Sequence, residues 1–138
     1  MTLLVGWGTY EGVKYRTTEA LGQCLRFPAD SPIRAEIVEI ERPMGVKYAV
    51  KKTKHPMCIK PRGLQDLENM RLCLRLKLAF HPQFVTALLR TGDRPIIEDC
   101  NNRQEGSGLF WGAAQDANGK WTRGHNWLGF LWQEIRED

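Results

Sequence analysis

Long apolar runs are missing from this chain. Nowhere do about 18 consecutive apolar residues occur, so no segment reads as a membrane-spanning helix. The opening "MTLLVGWGTYEG" has neither a basic stretch nor a long apolar one, and a cytoplasmic protein is the expectation. Cysteine is scarce and scattered: Cys24, Cys58, Cys73 and Cys100 form no Cys-x-x-Cys pair and have no histidine at zinc-finger spacing. Free thiols are therefore expected, and a structural metal is not. Histidine is scarcer still. His55, His81 and His125 stand apart from one another, and there is no His/carboxylate metal motif, glycine-rich phosphate loop or nucleophile elbow. Nothing in these patterns calls for a cofactor.

What is present fits one domain, residues 1–138, whose folding should bury roughly two thirds of the surface of the unfolded chain. Twenty basic residues against 16 acidic ones leave a formal charge of +4, a mild excess that suits a phosphate-bearing partner without demanding one.

The periodicities are those of a mostly helical fold with a few short strands. A short strand is expected in "GVKYRT", followed by a helix over residues 17–27 that threonines can cap and that ends before Pro28. Its wheel gathers Ala20, Leu21, Cys24, Leu25 and Phe27 on one side and a polar stripe of Glu19, Gln23 and Arg26 on the other. A second helix, residues 32–42, is capped by Asp30 or Ser31, places Ile33, Ile37 and Ile40 at core spacing and ends at Pro43. "MGVKYAVKK" reads as a third, with Lys47 and Lys51 on a shared face, and "TKHPMCIKPRG" as a loop. The longest helix, residues 63–80, carries one apolar band of Leu64, Leu67, Met70, Leu74 and Leu78 and another of Leu72 and Leu76, which predicts a central, largely buried element. "PQFVTALLRTG" turns Phe84, Val85, Leu88 and Leu89 inward, with Gly92 as its C-terminal cap, and "PIIEDC" is a short strand. Residues 101–125, rich in Gly, Asn, Gln and Trp, read as one long loop, a length that is often functional. The last helix spaces Leu128, Leu131, Trp132 and Ile135 on one face.

Glu19 on its stripe, Glu98 and Asp99 at a strand end, and Lys47 on a short helix are the groups that could line a pocket. Five blocks in order, "YRTTEALGQCLRF", "PMGVKYAVKK", "LLRTGDRPIIED", "FWGA" and "GHNWLGFLWQEIRE", resemble the successive motifs of the NADAR (YbiA-like) N-glycosidases, over residues 13–137. The resemblance implies a compact, mostly helical domain that cleaves N-glycosidic bonds at a phosphorylated or ADP-linked ribose. Activities in that family include hydrolysis of ribosylaminopyrimidine intermediates of the riboflavin pathway and removal of ADP-ribose from guanine in nucleic acid.

Residue by residue, the resemblance implies that Glu19 matches the acidic residue of the family's first helix, Lys47 its motif lysine, and Glu98 the glutamate after the Thr-Gly turn. Trp111 and Gly112 match a Trp-Gly pair, and Asn126, Leu128 and Gly129 match a Gly-x-Asn-x-Leu-Gly signature that begins at Gly124. Glu19, Lys47 and Glu98 are thus the catalytic candidates. Gln23, Arg26, Trp111, Gly112, Gly124, Asn126, Trp127 and Gly129 are the substrate-binding candidates. Glu19, Lys47, Glu98 and Asn126 are expected to share one cleft, because each polar residue interrupts or caps an otherwise apolar element. Asn126 is expected to cap the last helix, leaving its N-terminus and the Gly124 backbone open to an anion, with Trp111 and Trp127 as walls. Breaking a C1′–N bond builds positive charge on the ribose, which a carboxylate stabilises while a second group protonates the leaving base. A neutral Lys47 amine offers a Schiff-base route.

The chain departs from the family pattern in three places. Gly108 stands where many members carry an aspartate, so any role of that carboxylate passes elsewhere, with Asp99 or Glu105 as candidates. Asp66 is followed by Leu67 where a Trp is common, and no Phe-Ser-Asn-Phe-like block precedes Tyr10. The partners implied are ADP-ribosylated guanine in DNA or RNA, or ADP-ribose itself, and a cognate ADP-ribosyltransferase toxin system; no membrane is implied. Among substrates the guanine adduct ranks first. The cations Lys51, Lys52, Lys54, Lys60 and Arg62 suit a diphosphate or a strand, and Trp111, Trp121 and Trp127 offer stacking faces. Rival readings are a hydrolase of ribosylaminopyrimidine phosphates, a module that binds ADP-ribose without cutting it, and a protein-interaction domain, which a large exposed apolar patch would favour.

Overall fold

The computed structural model describes residues 8–138, which form seven α-helices and four short strands. This is the mostly helical class expected from the periodicities. Packing divides the described residues into two compact units, residues 8–81 and Pro82–Asp138. The stretch in which a Phe-Ser-Asn-Phe-like block would begin lies outside the described residues.

The first unit opens on an antiparallel hairpin, β1 (Gly8–Tyr10) and β2 (Val13–Tyr15), with Tyr10 opposite Val13. Its two-residue turn has positive φ at Glu11 (50°) and Gly12 (81°), the mirror-image geometry whose twist matches paired strands. Helix α1 (Thr18–Cys24) is capped as expected: the Thr17 hydroxyl accepts from the Ala20 N–H at 3.1 Å. It ends earlier than its pattern suggested, because the chain tightens into bonds from Arg26 N–H to Gln23 O (3.2 Å) and from Phe27 N–H to Cys24 O (3.0 Å).

Helix α1 is the hub of this unit. Around it pack β2, α2 (Pro32–Glu39), α3 (Pro43–Lys52) and α4 (Leu64–Phe80). Its Leu21 and the following Phe27 are fully buried, and burial of each such side chain contributes roughly 1.5–3 kcal/mol. Ile33 and Ile37 of α2 are buried as expected. Ile40 instead forms an extended C-cap and is half-buried, and Pro43 serves to open α3. Ser31 occupies the N-cap position of α2 but makes no side-chain capping bond.

Helix α4 corrects its predicted face. Leu64 is 84% exposed, and the buried residues are Asp66, Cys73, Leu74 and Lys77. Those positions share one side of the helix, at spacings of 7, 8 and 11 from Asp66. A polar contact chose this face over the apolar count. The Arg26 guanidinium donates to both oxygens of Asp66 (Nε to Oδ1 3.0 Å, Nη2 to Oδ2 2.7 Å), and the Arg62 N–H adds a third bond at 2.8 Å. With Asp66 only 4% exposed, the pair must stay intact, since removal of one partner would leave a buried charge uncompensated.

In the second unit, α5 (Pro82–Arg90) buries Leu88, while Val85 and Leu89 (64% exposed) face outward, against the expectation that both point inward. Gly92, at φ 59°, ends the helix as expected. Helix α5 packs on α7 (Trp127–Glu137), whose Arg136 ties down the turn by donating to Thr91 Oγ1 (2.8 Å) and Arg94 O (2.7 Å). Residues 95–100 form neither a helix nor a strand ladder. Their only bridge is a parallel one between Asp99 and Ala113 among the described residues, and side chains supply much of the remaining pairing. The predicted long loop is structured. It contains α6 (Ser107–Trp111) and a hairpin of β3 (Ala114–Gln115) with β4 (Trp121–Arg123). Asn101 clamps the hairpin: its Oδ1 accepts from the Gln115 N–H (2.8 Å) and its Nδ2 donates to Gln115 Oε1 (2.9 Å).

No helix among the described residues is long and apolar enough to cross a membrane. All four cysteines are free thiols, Cys58 exposed and the other three buried. Burial pushes the Cys24 thiol up to about 11 and, reinforced by the Glu19 and Asp66 carboxylates, the Cys73 thiol up to about 12. Ellman's reagent at pH 8 should therefore titrate one thiol, Cys58, rapidly and the other three only on unfolding. Because folding raises these pKa values above the 9.0 of a free thiol, their contribution to stability is complete below pH 9 and is lost as pH rises toward 12. Urea melts at pH 7.5 and about 10.5 should show that fall, and Cys73→Ala should reduce it. Equal slopes for wild type and variant would remove Cys73 as its cause.

Candidate active site

Asn126 organises the second unit, in a way that differs from its predicted role. It stands at the N-cap position of α7, yet its side chain makes no capping bond. Its backbone is left-handed, at φ 52° and ψ 38°, and this turns the amide away from the helix. The side chain instead bonds the backbone of the segment 95–100: Oδ1 accepts from the Glu98 N–H at 2.9 Å and Nδ2 donates to Ile96 O at 2.9 Å. Gln133, about two turns further along the same face of α7, accepts from the Ile96 N–H at 2.8 Å. The Asn126 N–H in turn donates to Gly112 O at 3.0 Å, and the Ala113 N–H donates to Glu98 O at 2.8 Å. Glu98 is thereby held at both its backbone N–H and its C=O, and its half-buried side chain projects from a fixed point.

The glycines of this unit permit close backbone approach. A Cβ at Gly112 would strike Glu98 O, one at Gly124 would strike Gly112 O, and one at Gly129 would strike Ile96 O and the Asn126 amide. Gly124 also has φ 96°. Gly108 belongs to the same class, since a Cβ there would meet Arg103 O. The loop before α6 thus occupies the place that a side chain at this position would take. Aromatic rings lie beside these crossings. Phe110 packs edge-on against Trp111 (4.8 Å, 89°) and lies 6.4 Å from both His125 and Trp127, and Trp127 meets Phe130 at 6.3 Å. Trp127 and Phe130 are exposed.

The first unit holds the other candidates. Glu19 lies in the first turn of α1, where the helix dipole favours a carboxylate. Its Oε2 is buried and has no hydrogen-bond partner among the described residues, although its charge reaches Cys73. Such an oxygen is costly to bury unless something binds it. Lys47 is half-buried on α3, which packs directly on α1. Gln23 and Arg26 are joined, Arg26 Nη1 to Gln23 Oε1 at 3.1 Å, and Arg26 is already engaged by Asp66. Within the units, then, Glu98, Gly112, Gly124, Asn126 and Gly129 form one cluster, while Glu19, Gln23 and Lys47 stand on the packed pair α1 and α3 and Arg26 on the turn that follows α1. Sequence reasoning missed Gln133 and Phe110. Gln133 carried a signal, a polar residue one position after the buried Trp132; Phe110 was hidden in the Trp-Gly block. Among the described residues no cluster of His, Cys, Asp or Glu could hold a metal ion.

Comparison with known proteins agrees with the ordered motifs. The family model described as the NADAR domain matches residues 5–138. The NMR structure of the Escherichia coli protein YbiA superposes with a TM-score of 0.72 at 28% identity, covering 92% of this chain and 68% of that one. No curated protein matches significantly. The family is associated with N-glycosidase activity, which supports a glycosidase-like role in broad terms. With a match over nearly its whole length and a fold shared with YbiA, the chain belongs to the NADAR domain family.

Proposed function

We propose that this protein is an N-glycosidase that removes ADP-ribose from ADP-ribosylated guanine, in nucleic acid or nucleotides, by hydrolysing the ribose C1′–N bond. The observation that carries this reading is the buried Oε2 of Glu19, which has no hydrogen-bond partner among the described residues. A buried carboxylate oxygen is suited to the positive charge that develops at a ribose C1′. The Lys47 amine is the nucleophile. It attacks C1′, the bond to the guanine nitrogen breaks and the base departs with a proton supplied by an acid group, for which Glu98 is the candidate. Opening of the sugar ring leaves an imine on Lys47, and addition of water releases ADP-ribose and the free amine. Binding falls to the aromatic faces of Trp111 and Trp127 and to the first turn of α7, which no side chain caps and which suits a diphosphate. Gln23, Arg26 and the close-packed glycines Gly112, Gly124 and Gly129 complete the proposed set.

A cytoplasmic location and a cognate ADP-ribosyltransferase toxin system belong to the same proposal. Mass spectrometry on a mixture of ADP-ribosylated guanine oligonucleotide and ribosylaminopyrimidine phosphate tests activity and choice together. Free ADP-ribose should appear, faster at low salt than at high salt. Much faster hydrolysis of the pyrimidine compound would reverse the order of substrates, and a bound adduct left uncleaved would make the protein a reader of ADP-ribose.

A further inference from the structure

Between Glu41 and Asp66 the chain has no acidic residue, while seven lysines and arginines fall in that interval. Six of them are exposed: Arg42 just before α3, and Lys51, Lys52, Lys54, Lys60 and Arg62 on the last turn of α3 and on the strap of residues 53–63 that follows. The strap has no regular structure, but its backbone is fastened. The Cys58 N–H donates to Arg26 O at 2.8 Å, and the Arg62 N–H donates to the Asp66 carboxylate that Arg26 also holds. The cations are thus presented from a backbone whose ordering was completed on folding, which lowers the entropy cost of engaging a ligand.

An aromatic residue stands among these charges. Tyr48, on α3, is 65% exposed, and the Lys52 ammonium lies 5.6 Å from its ring centroid. Beside it an open groove of about 390 Å³ is lined by Ile40, Gly45 and Ala49 and by the polar ends of Glu36, Lys52 and Thr53. An apolar wall, a stacking ring, cations and a few hydrogen-bonding ends together suit a nucleobase with its phosphate. We propose that the outer face of α3 and the strap form a track for single-stranded nucleic acid, with Lys51, Lys54, Lys60 and Arg62 pairing with phosphates and a base stacked on Tyr48 at the groove. An anionic bilayer would also attract the lysines, but it would make no use of a groove with polar ends, and α3 exposes only Met44 and Tyr48 as large apolar groups beside them.

The track rests on the reading of the substrate as a guanine adduct within nucleic acid, yet its test reads binding and needs no turnover. Fluorescence anisotropy would follow an unmodified, labelled single-stranded oligodeoxynucleotide over a salt series. The triple variant Lys51→Gln, Lys54→Gln, Lys60→Gln should lower the log–log salt slope by about 2, at about 0.7 per lost phosphate contact. Tyr48→Ala should weaken binding roughly 5- to 150-fold, and Tyr48→Phe should restore it. Unchanged binding in the variants, or no binding by wild type even at low salt, overturns the track. So does capture of phosphatidylserine/phosphatidylcholine vesicles, lost in the triple variant, in place of the oligonucleotide. If wild type cleaves a mononucleotide adduct while the variants still bind DNA normally, the track fails and the glycosidase reading stands. If the variants lose binding while wild type cleaves no adduct, the reading fails and the track stands.

Discussion

Lys47→Ala is expected to reduce release of ADP-ribose from the guanine adduct by roughly 10³-fold or more, the scale seen when a covalent nucleophile is removed from an enzyme. The same change should alter stability by no more than about 1 kcal/mol, because alanine is the best helix former and the core contacts of α3 come from Val46 and Val50 on either side. That contrast separates chemistry from folding. Borohydride added during turnover should fix the sugar to wild-type protein and raise its mass by a reduced ribosyl adduct, while the alanine variant gains nothing. Near-normal rates in the variant would leave a mechanism that relies on the carboxylates alone.

A different kind of loss is expected at Asn126. Its replacement by alanine strips the partners from the Glu98 N–H and Ile96 C=O together, and because both groups are only part-buried each costs about 1–2 kcal/mol, the low side of the range for an unsatisfied group. Alanine must also adopt φ 52°, at about 1 kcal/mol or more. Urea denaturation should show Asn126→Ala less stable by about 2–5 kcal/mol, with Asn126→Gly recovering roughly the backbone part. Loss of an ordinary helix cap costs about 1 kcal/mol, so a deficit of that size or smaller would reduce Asn126 to a cap.

The elements that the sequence revealed most clearly are those whose burial follows one simple period. The last helix buries Leu131, Trp132 and Ile135 as its spacing indicated, and Thr17 caps α1 as its position indicated. The face of α4 was misread because its orientation is set by a carboxylate. Seven leucines and methionines along the helix outweigh Asp66 in any apolar count, but a bidentate guanidinium 40 positions away outweighs them in the fold. Residues 101–125 looked featureless for a related reason. Their helix is one and a half turns long and their hairpin is held by the Asn101 and Asp116 side chains, so apolar periodicity has nothing to register. In the candidate site, Asn126, Gly112 and Gly129 were found through an ordered motif. What Asn126 does there could not be read from that motif, because its left-handed backbone redirects the amide from its own helix to a segment 28 to 30 residues earlier.

The packing at Gly108 bears on how this chain can change. A side chain cannot simply be added where Arg103 O already lies, so an aspartate here would have to arrive together with a shorter or rerouted turn between Arg103 and Ser107. Gly108→Asp on its own would force the Arg103 carbonyl to move, so the substitution costs stability unless the turn moves with it. The turn from Arg103 to Ser107 and the residue at 108 are therefore coupled through packing, and the conformation of that turn sets which side chains position 108 can carry.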